Sequence, residues 1–341
     1  MPDRLDDIVE ELLGLSPEEE IRWIARRMRE ILRTELRKRG LVVAISGGID
    51  SAVCAALSVR ATGPEKVLGL LLPEAESSPE SAQRGEDLAK DLGIEYRKED
   101  VAPVLKAIGC YRWRDDAIRR VFPDYGPGWK NKIVIRGHLD GQLNHFRLVV
   151  QDERGRESSA RLGLREYLQI VAATNFKQRI RKTVEYFHAD RLNYAVVGTP
   201  NRLEYDQGFF VKNGDGAADL KPIAHLYKSQ VYMLARHLDL PDDIVSARPT
   251  TDTYSLPQGQ EEFYYALPLR EMDIALWHVN EGRSPSELAE ALNIEDDTAE
   301  RIYGDIRAKR RTTAPLHWPG LLMESVPGPL PAPETGRPHG S

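Results

Sequence analysis

The segment that most constrains the fold is residues 41–51, where an apolar run leads directly into a glycine-rich turn and then a helix. The run Leu41–Ile45 is typical of a buried parallel strand, and the small residues from Ser51 to Val59 favour a helix. Further strand patterns at 67–72, 96–101 and 195–198 alternate with helical ones. This alternation predicts an α/β fold with a doubly wound, mainly parallel sheet.

The pattern on either side of this core predicts the domain organisation. Residues 1–40 read as amphipathic helices with a possible dimer contact, 41–265 as the α/β domain, and 266–318 as a helical C-terminal part. The tail, 319–341, is rich in Pro and Gly and is predicted to be disordered.

An insertion at about 109–165 interrupts the strand–helix rhythm. Apolar runs at 132–135 and 146–150 flank Gly137 and Asp140-Gly141. This pattern predicts an inserted β-hairpin with a long loop.

Composition excludes several classes of function. The 341 residues carry a net charge of −6, which argues against a general affinity for nucleic acid. Cys54 and Cys110 stand far apart in no paired motif, which fits a reducing compartment. Since no apolar run approaches the roughly 18 residues that a membrane span needs, we expect a soluble, cytoplasmic protein with no membrane or nucleic-acid partner.

The turn at 46–51, Ser-Gly-Gly-Ile-Asp-Ser, has the chemistry of a phosphate-binding loop. Its two glycines let backbone N–H groups approach an anion closely, and the following helix N-terminus favours negative charge. Asp50 suits such a loop if a divalent cation mediates, which predicts magnesium. The alternative is an ordinary tight turn from strand to helix with a Ser or Asp cap.

The loop resembles the pyrophosphatase loop of the N-type ATP pyrophosphatases, which include NAD synthases, GMP synthetases, asparagine synthetases and tRNA-thiolating enzymes. Three later segments resemble NAD synthases in particular: Gly-Thr-x-Asn-x-x-Glu at 198–204, Lys-x-Gly-Asp-Gly-x-x-Asp at 212–219, and Leu-Tyr-Lys-x-Gln-Val at 226–231. The resemblance spans roughly 41–105 and 170–315. It implies an adenine nucleotide alpha hydrolase-like, Rossmann-like fold.

The resemblance also implies the reaction. An ammonia-dependent NAD synthase converts deamido-NAD, ATP and ammonia to NAD, AMP and pyrophosphate, with Mg²⁺ on the phosphates. A homodimer with the acid bound near the interface is implied as well. Residues 1–40 are too short for a glutaminase domain, so ammonia is expected to be free or delivered by a partner.

Site residues are assigned from the loop chemistry and the matching motifs. Asp50 and Glu204 follow two predicted strands, where ligands of open α/β sheets bind, and are the expected metal ligands. The expected ATP-binding residues are Ser46, Gly47, Gly48, Asp50, Ser51, Thr199, Lys228 and Thr250. Catalytic roles are expected for Asp50, Lys228 and Thr250. The expected acid-binding residues are Asn175, Arg179, Lys212, Asp215 and Asp219.

Each of these residues also has an ordinary structural interpretation. Lys228 could lie on an exposed helix surface, Asp215 could belong to a simple turn, and Glu204 could cap the following helix. The helix-turn-helix pattern at 284–311 ends in Lys309-Arg310-Arg311, which we interpret as a lid or phosphate contact rather than a DNA-binding element.

Two departures from the family pattern concern the substrate. The insertion is longer than the family's usual connection, and residues 257–263 read Pro-Gln-Gly-Gln-Glu-Glu-Phe in place of Gly-Gln-Thr-Asp-Glu. An amide ligase acting on another carboxylic acid therefore stays open. Sulfur transfer to a nucleic acid would want paired cysteines and a basic surface, and a non-catalytic nucleotide-binding regulator would not need intact Asp50, Glu204 and Lys228.

Overall fold

Four parallel strands form the central sheet of the part of the chain that the structure describes. The computed structural model describes residues 2–136, 145–247, 254–256, 259, 264–265, 267–324 and 326. The strand order is β3 (Glu95–Lys98), β2 (Val67–Leu71), β1 (Leu41–Ala44) and β7 (Ala195–Val197), so the chain moves outward from β1 in one direction and later returns to its other side. The predicted doubly wound parallel sheet is confirmed, and its order changes direction between β1 and β7.

The elements have the following bounds in chain order. The strands are β1 (Leu41–Ala44), β2 (Val67–Leu71), β3 (Glu95–Lys98), β4 (Lys130–Arg136), β5 (His145–Gln151), β6 (Glu157–Arg161) and β7 (Ala195–Val197). The helices are α1 (Pro2–Leu13), α2 (Pro17–Glu30), which continues as a π-helical segment (Ile31–Leu36), α3 (Ile49–Thr62), α4 (Pro79–Asp91), α5 (Ala102–Ile108), α6 (Cys110–Arg119), α7 (Leu164–Leu192), α8 (Arg202–Gln207), α9 (Lys228–His237), α10 (Asp242–Val245), α11 (Leu269–Asn280), α12 (Pro285–Leu292) and α13 (Asp296–His317).

Both faces of the sheet are covered by helices. Successive side chains of a strand point to opposite faces, so Leu41 and Val43 join one core and Val42 joins another. The first core also takes residues of α2, α3 and α9, and the second takes residues of α5 and α7. Burial on both faces explains why β1 and β2 are apolar at nearly every position.

The insertion forms its own antiparallel sheet, β4-β5-β6. The predicted hairpin is present with Ile133 opposite Leu148, and β6 adds a third strand that the sequence did not reveal. Residues 137–144, which include the predicted turn, lie outside the described residues. Ile133 and Leu148 pack with Ile118 of α6 and Ile170 of α7, so this sheet has a separate apolar core.

The N-terminal helices pack within their own chain. Val9 and Leu13 of α1 are buried in a cluster with α11, and Ile24 and Met28 of α2 are buried in the cluster with α3. The amphipathic pattern of residues 1–40 is therefore explained inside one chain, and a dimer contact there stays a prediction.

The C-terminal part is helical, as the pattern predicted. It consists of α11, α12 and α13, and α13 continues to His317. The tail prediction falls mostly outside the described residues, and the side chains of Leu321, Leu322 and Met323 are exposed. Within the described ranges, each helix is too short or too polar to cross a bilayer.

Candidate active site

A cavity of about 780 Å³ opens at the carboxyl edge of the parallel sheet. The turns after β1 and β7 both line it, which places it where the strand order changes direction. Open α/β sheets bind their ligands in this crevice. Helix α7, helix α13 and the inserted sheet contribute the other walls.

The glycine-rich turn has a shape that only glycine permits at one position. Gly47 has a φ of 79°, and a Cβ atom there would lie 2.2 Å from the backbone oxygen of Ser81. The Ser51 hydroxyl donates to the carbonyl oxygen of Gly48 at 2.9 Å, and the backbone N–H of Ser46 donates to Ser51 Oγ at 3.2 Å. The turn is thus held closed at the start of α3, where the helix N-terminus favours an anion.

Asp50 lies in the first turn of α3 and is contacted from two other elements. Lys228 Nζ donates to Asp50 Oδ2, and Asn201 Nδ2 donates to Asp50 Oδ1 at 3.1 Å. The Lys228 side chain is only 2% exposed, so the interpretation of Lys228 as exposed helix surface is wrong. Asp50 is therefore held in place by its ion pair with Lys228 and by the hydrogen bond from Asn201.

Glu204 shares Asn201 with Asp50. The N–H of Asn201 donates to Glu204 Oε2 at 3.0 Å, and the N–H of Glu204 donates to Asn201 Oδ1 at 3.2 Å, which is a capping box at the start of α8. The interpretation of Glu204 as a helix cap is therefore confirmed. Burial, and then the charge of Asp50, raise the pKa of Glu204 to about 8. This carboxyl group sits where added positive charge would stabilise its ionised form.

The position of Lys228 is set by a residue on another helix. Asp273 of α11 accepts from the N–H groups of Lys228 at 3.1 Å and Ser229 at 2.7 Å, and so caps α9. Burial lowers the pKa of Lys228, but Asp50 and Glu204 together shift it upward. The ammonium group therefore stays charged beside the glycine-rich turn.

A second set of charged side chains includes two residues of α7. Lys182 Nζ is 2.6 Å from Glu185 Oε2, and both side chains are buried. Asp215 accepts from the N–H of Val211 at 2.9 Å, and burial raises the pKa of Asp215 and of Glu185. The turn interpretation of Asp215 is therefore compatible with its place in the cavity wall.

Most of the residues assigned from sequence meet in this cavity. Those that line it are Ser46, Gly47, Gly48, Asp50, Ser51, Asn175, Thr199, Glu204, Asp215 and Lys228. Thr250 lies outside the described residues.

Three of the assigned residues have structural contacts away from the lining residues. Arg179 Nε donates to the carbonyl oxygen of Lys212 at 3.2 Å, and Lys212 Nζ donates to the carbonyl oxygens of Pro315 and Trp318 at 2.9 and 2.7 Å. Asp219 Oδ2 accepts from the N–H of Val196 in β7 at 2.7 Å. Roles for these three in binding the acid stay predictions.

Several lining residues were missed by the sequence reasoning. Tyr167, Val171, Gln178, Lys182 and Glu185 all come from α7, and Arg84 of α4 donates to the carbonyl oxygen of Gly47 at 3.3 Å. The α7 residues follow the three- and four-residue spacing of one helix face. Extending that spacing in both directions from Asn175 would have found them.

The basic cluster near the C-terminus is divided between two roles. Lys309 lines the cavity, where its Nζ donates to Asp305 Oδ2 and to the carbonyl oxygen of Tyr264, both at 2.7 Å. Arg310 instead forms paired hydrogen bonds with Asp206 at 2.6 and 2.7 Å. Helix α13 therefore forms part of the site, and the charged groups of Lys309 and Arg310 bind partners within the chain.

Comparison with known proteins decides the family. The family model described as NAD synthase matches residues 21–118 and 153–312. The chain belongs to the NAD synthase family. The match omits residues 119–152, which contain β4 and β5 of the inserted sheet.

Curated relatives of this family member cover most of its length. The NH(3)-dependent NAD(+) synthetase of Rhizobium meliloti (strain 1021) is 55% identical over 89% of this chain and 91% of its own. That of Thermotoga neapolitana is 38% identical over 74% of this chain and 82% of its own.

Solved structures support the fold. An NMN synthetase from Francisella tularensis superposes with a TM-score of 0.60 at 22% identity, over 90% of this chain and 98% of the other. An NH3-dependent NAD synthetase from Campylobacter jejuni gives 0.59 at 20% identity, over 91% and 100%. The adenine nucleotide alpha hydrolase-like fold expected from the sequence is confirmed.

Proposed function

We propose that the protein is an ammonia-dependent NAD synthetase, which converts deamido-NAD, ATP and ammonia to NAD, AMP and pyrophosphate. The observation that carries the proposal is the group of Asp50, Asn201, Glu204 and Lys228 beside the phosphate loop. The names of relatives that share 52–55% of their residues with the chain support the same reaction.

The first step forms an acyl adenylate. A carboxylate oxygen of the acid attacks the α-phosphorus of ATP, the bond to the bridging oxygen breaks, and pyrophosphate leaves. Negative charge builds on the phosphate oxygens, and the ammonium of Lys228 and the N-terminus of α3 stabilise it. Beyond this electrostatic stabilisation, the protein contributes mainly by positioning the two substrates.

A magnesium ion fits the residues that are present. Asp50 and Glu204 are two carboxylates joined through Asn201, and the pKa of Glu204 is raised to about 8 by burial and by Asp50. Mg²⁺ is commonly bound by one or two carboxylates together with substrate phosphates. Asp50 and Glu204 would hold the ion, which would neutralise phosphate charge when bound.

The second step forms the amide. Ammonia attacks the acyl carbon, the acyl–phosphate oxygen bond breaks, AMP leaves with the electron pair, and one proton is released.

We assign Asn175 and Asp215 to contacts with the acid, because both line the cavity. Arg179, Lys212 and Asp219 would join them only by exchanging their present partners. Thr199 is assigned to ATP, as is Thr250.

The proposal extends to a homodimer in the cytoplasm. Apolar side chains are exposed on the adjacent helices α5, α6 and α7, with Ile108 45% and Phe187 63% exposed. A second copy of the chain would cover this surface. A molecular mass equal to that of one chain, measured by sedimentation equilibrium, would exclude the homodimer. Cys54 and Cys110 are free thiols, which fits a reducing compartment.

The test supplies purified protein with ATP, Mg²⁺, ammonium and a panel of acids, and measures AMP and amide by chromatography. We expect AMP and NAD in equal amounts with deamido-NAD. Activity with another acid alone, such as nicotinate mononucleotide, would select the related amide ligase instead.

A further inference from the structure

The inserted sheet, α7 and Tyr254 together form an aromatic wall of the cavity. Ile135 of β4, Phe146 of β5, Tyr167 and Val171 of α7, and Tyr254 all line it. The rings of Phe146 and Tyr167 stack with centroids 4.0 Å apart and planes 20° apart. Phe146 lies in the segment that the family model omits.

Hydrogen bonds hold residues 255–256 against β4 of this wall. The N–H of Asn131 in β4 donates to Ser255 Oγ at 2.8 Å, and the N–H of Leu256 donates to the carbonyl oxygen of Asn131 at 3.1 Å. Phe146, Tyr167 and Tyr254 pack around the apolar core of the inserted sheet. The aromatic surface is therefore preorganised, which lowers the entropic cost of binding a ligand on it.

The ring of Tyr167 is carried by a part of α7 distant along the helix from the part beside the glycine-rich turn. Arg181 marks the level of the phosphate loop on α7, because it donates to Ser77 Oγ at 3.1 Å and a Cβ at Gly47 would meet Ser81. Tyr167 lies fourteen residues earlier, which is about 21 Å along the helix. A ligand that touches both levels must be long.

The two substrates differ in how far a base lies from the reaction. In ATP, one ribose separates adenine from the α-phosphate that is attacked. In deamido-NAD, the nicotinate ring, two riboses and a pyrophosphate separate adenine from the reacting carboxylate. Of the two bases, the adenine of deamido-NAD can therefore reach farther from the phosphate loop toward the aromatic wall.

We propose that Phe146 and Tyr167 form a stacking subsite for the adenine of the acid dinucleotide, so that the inserted sheet makes the enzyme select a dinucleotide acid. The inference rests on the proposed function and names the part of its substrate that this wall binds. Stacking of a base on an aromatic side chain is typically worth a factor of about ten or more in affinity.

The experiment compares Phe146→Leu with wild type and measures KM for deamido-NAD, KM for ATP, and kcat. Leucine keeps an apolar side chain in the wall but removes the ring face. We expect KM for deamido-NAD to rise about tenfold, with KM for ATP and kcat unchanged. Tyr167→Phe, which keeps the ring, should behave as wild type, and Tyr167→Leu should repeat the effect if Phe146→Leu does not fold.

The matched control is Val149→Ala. Val149 lies on the same strand as Phe146 but on the opposite face, since side chains alternate, and its removal should leave both KM values unchanged. A rise in KM for ATP alone would assign the wall to the adenine of ATP, and unchanged constants in Phe146→Leu would remove the subsite; either result overturns the inference. Wild-type amidation of deamido-NAD tests the proposed function separately.

Discussion

The two sheets of this protein differ in what they contribute to one cavity. The edge of the parallel sheet contributes charge: Asp50, Glu204 and Lys228 are gathered within a network of hydrogen bonds. The inserted sheet contributes apolar and aromatic surface through Ile135 and Phe146. The family model covers the first region and omits β4 and β5 of the second. The proposed reaction chemistry and the proposed ligand selection thus reside in separate structural units.

The two sheets are also stabilised differently. The parallel sheet is covered on both faces, so the turns at its edge are held by two helical layers. The inserted sheet buries Ile133, Leu148 and Val150 on one face, while Arg147 on the other is half-exposed. A sheet anchored on one face can change its surface residues without disturbing the phosphate loop.

The largest expected effect separates the two units most clearly. Asp50→Ala should lower kcat for AMP formation by about a thousandfold or more, because a ligand for the cation and a partner of Lys228 are lost. Glu157→Gln, an exposed carboxylate of the inserted sheet, is the control and should retain full activity. Circular dichroism would verify that both variants fold; substantial amide formation by Asp50→Ala would refute its metal role.

A pH experiment contrasts the buried carboxyl of Asp273, which caps the helix that carries Lys228, with the partly buried carboxyl of Asp152 between β5 and β6. Burial raises the pKa of Asp273 to about 6, above its unfolded value, so its contribution to stability is fully present below about pH 4 and is lost as pH rises through 6. The wild-type advantage over Asp273→Asn should therefore shrink by about 3 kcal/mol across that window, measured by urea unfolding.

The matched variant, Asp152→Asn, should show the opposite sign. The backbone N–H of Arg156 lowers the pKa of Asp152, so its contribution is present at neutral pH and is lost as pH falls below about 4. Parallel pH profiles for the two variants would contradict the opposite directions of the pKa shifts of Asp273 and Asp152.

The smallest expected effect concerns the hydrogen bond between β4 and Ser255. Ser255→Ala removes the acceptor for the N–H of Asn131, which should reduce the free energy of unfolding by about 1–2 kcal/mol. We also expect KM for deamido-NAD to rise about threefold, a shift of under 1 kcal/mol, with kcat unchanged. Ser159→Ala, which alters an exposed hydroxyl of the same sheet, serves as the control. Equal effects in the two variants would show that the loss is not specific to the hydrogen bond between Asn131 and Ser255.

Local patterns in the sequence were enough to predict the α/β fold, the glycine-rich turn before α3 and the hairpin. A strand, a glycine turn and a helix are each set by neighbours in the chain, so Gly47 and the start of α3 could be read from residues 41–51. The third strand, β6, was missed because its residues, Glu-Ser-Ser-Ala-Arg, are polar and mostly exposed. A strand paired on a solvated surface leaves little hydrophobic signal.

What the sequence by itself determined is therefore the fold, the glycine-rich turn after β1 and the residue types available for chemistry. Only the tertiary structure decided that Asn201 joins Asp50 to Glu204, that the Lys212 amine binds the end of α13, and that Phe146 faces the cavity. These relations join residues far apart in the chain. They depend on how helices and sheets pack against one another, which no local spacing encodes.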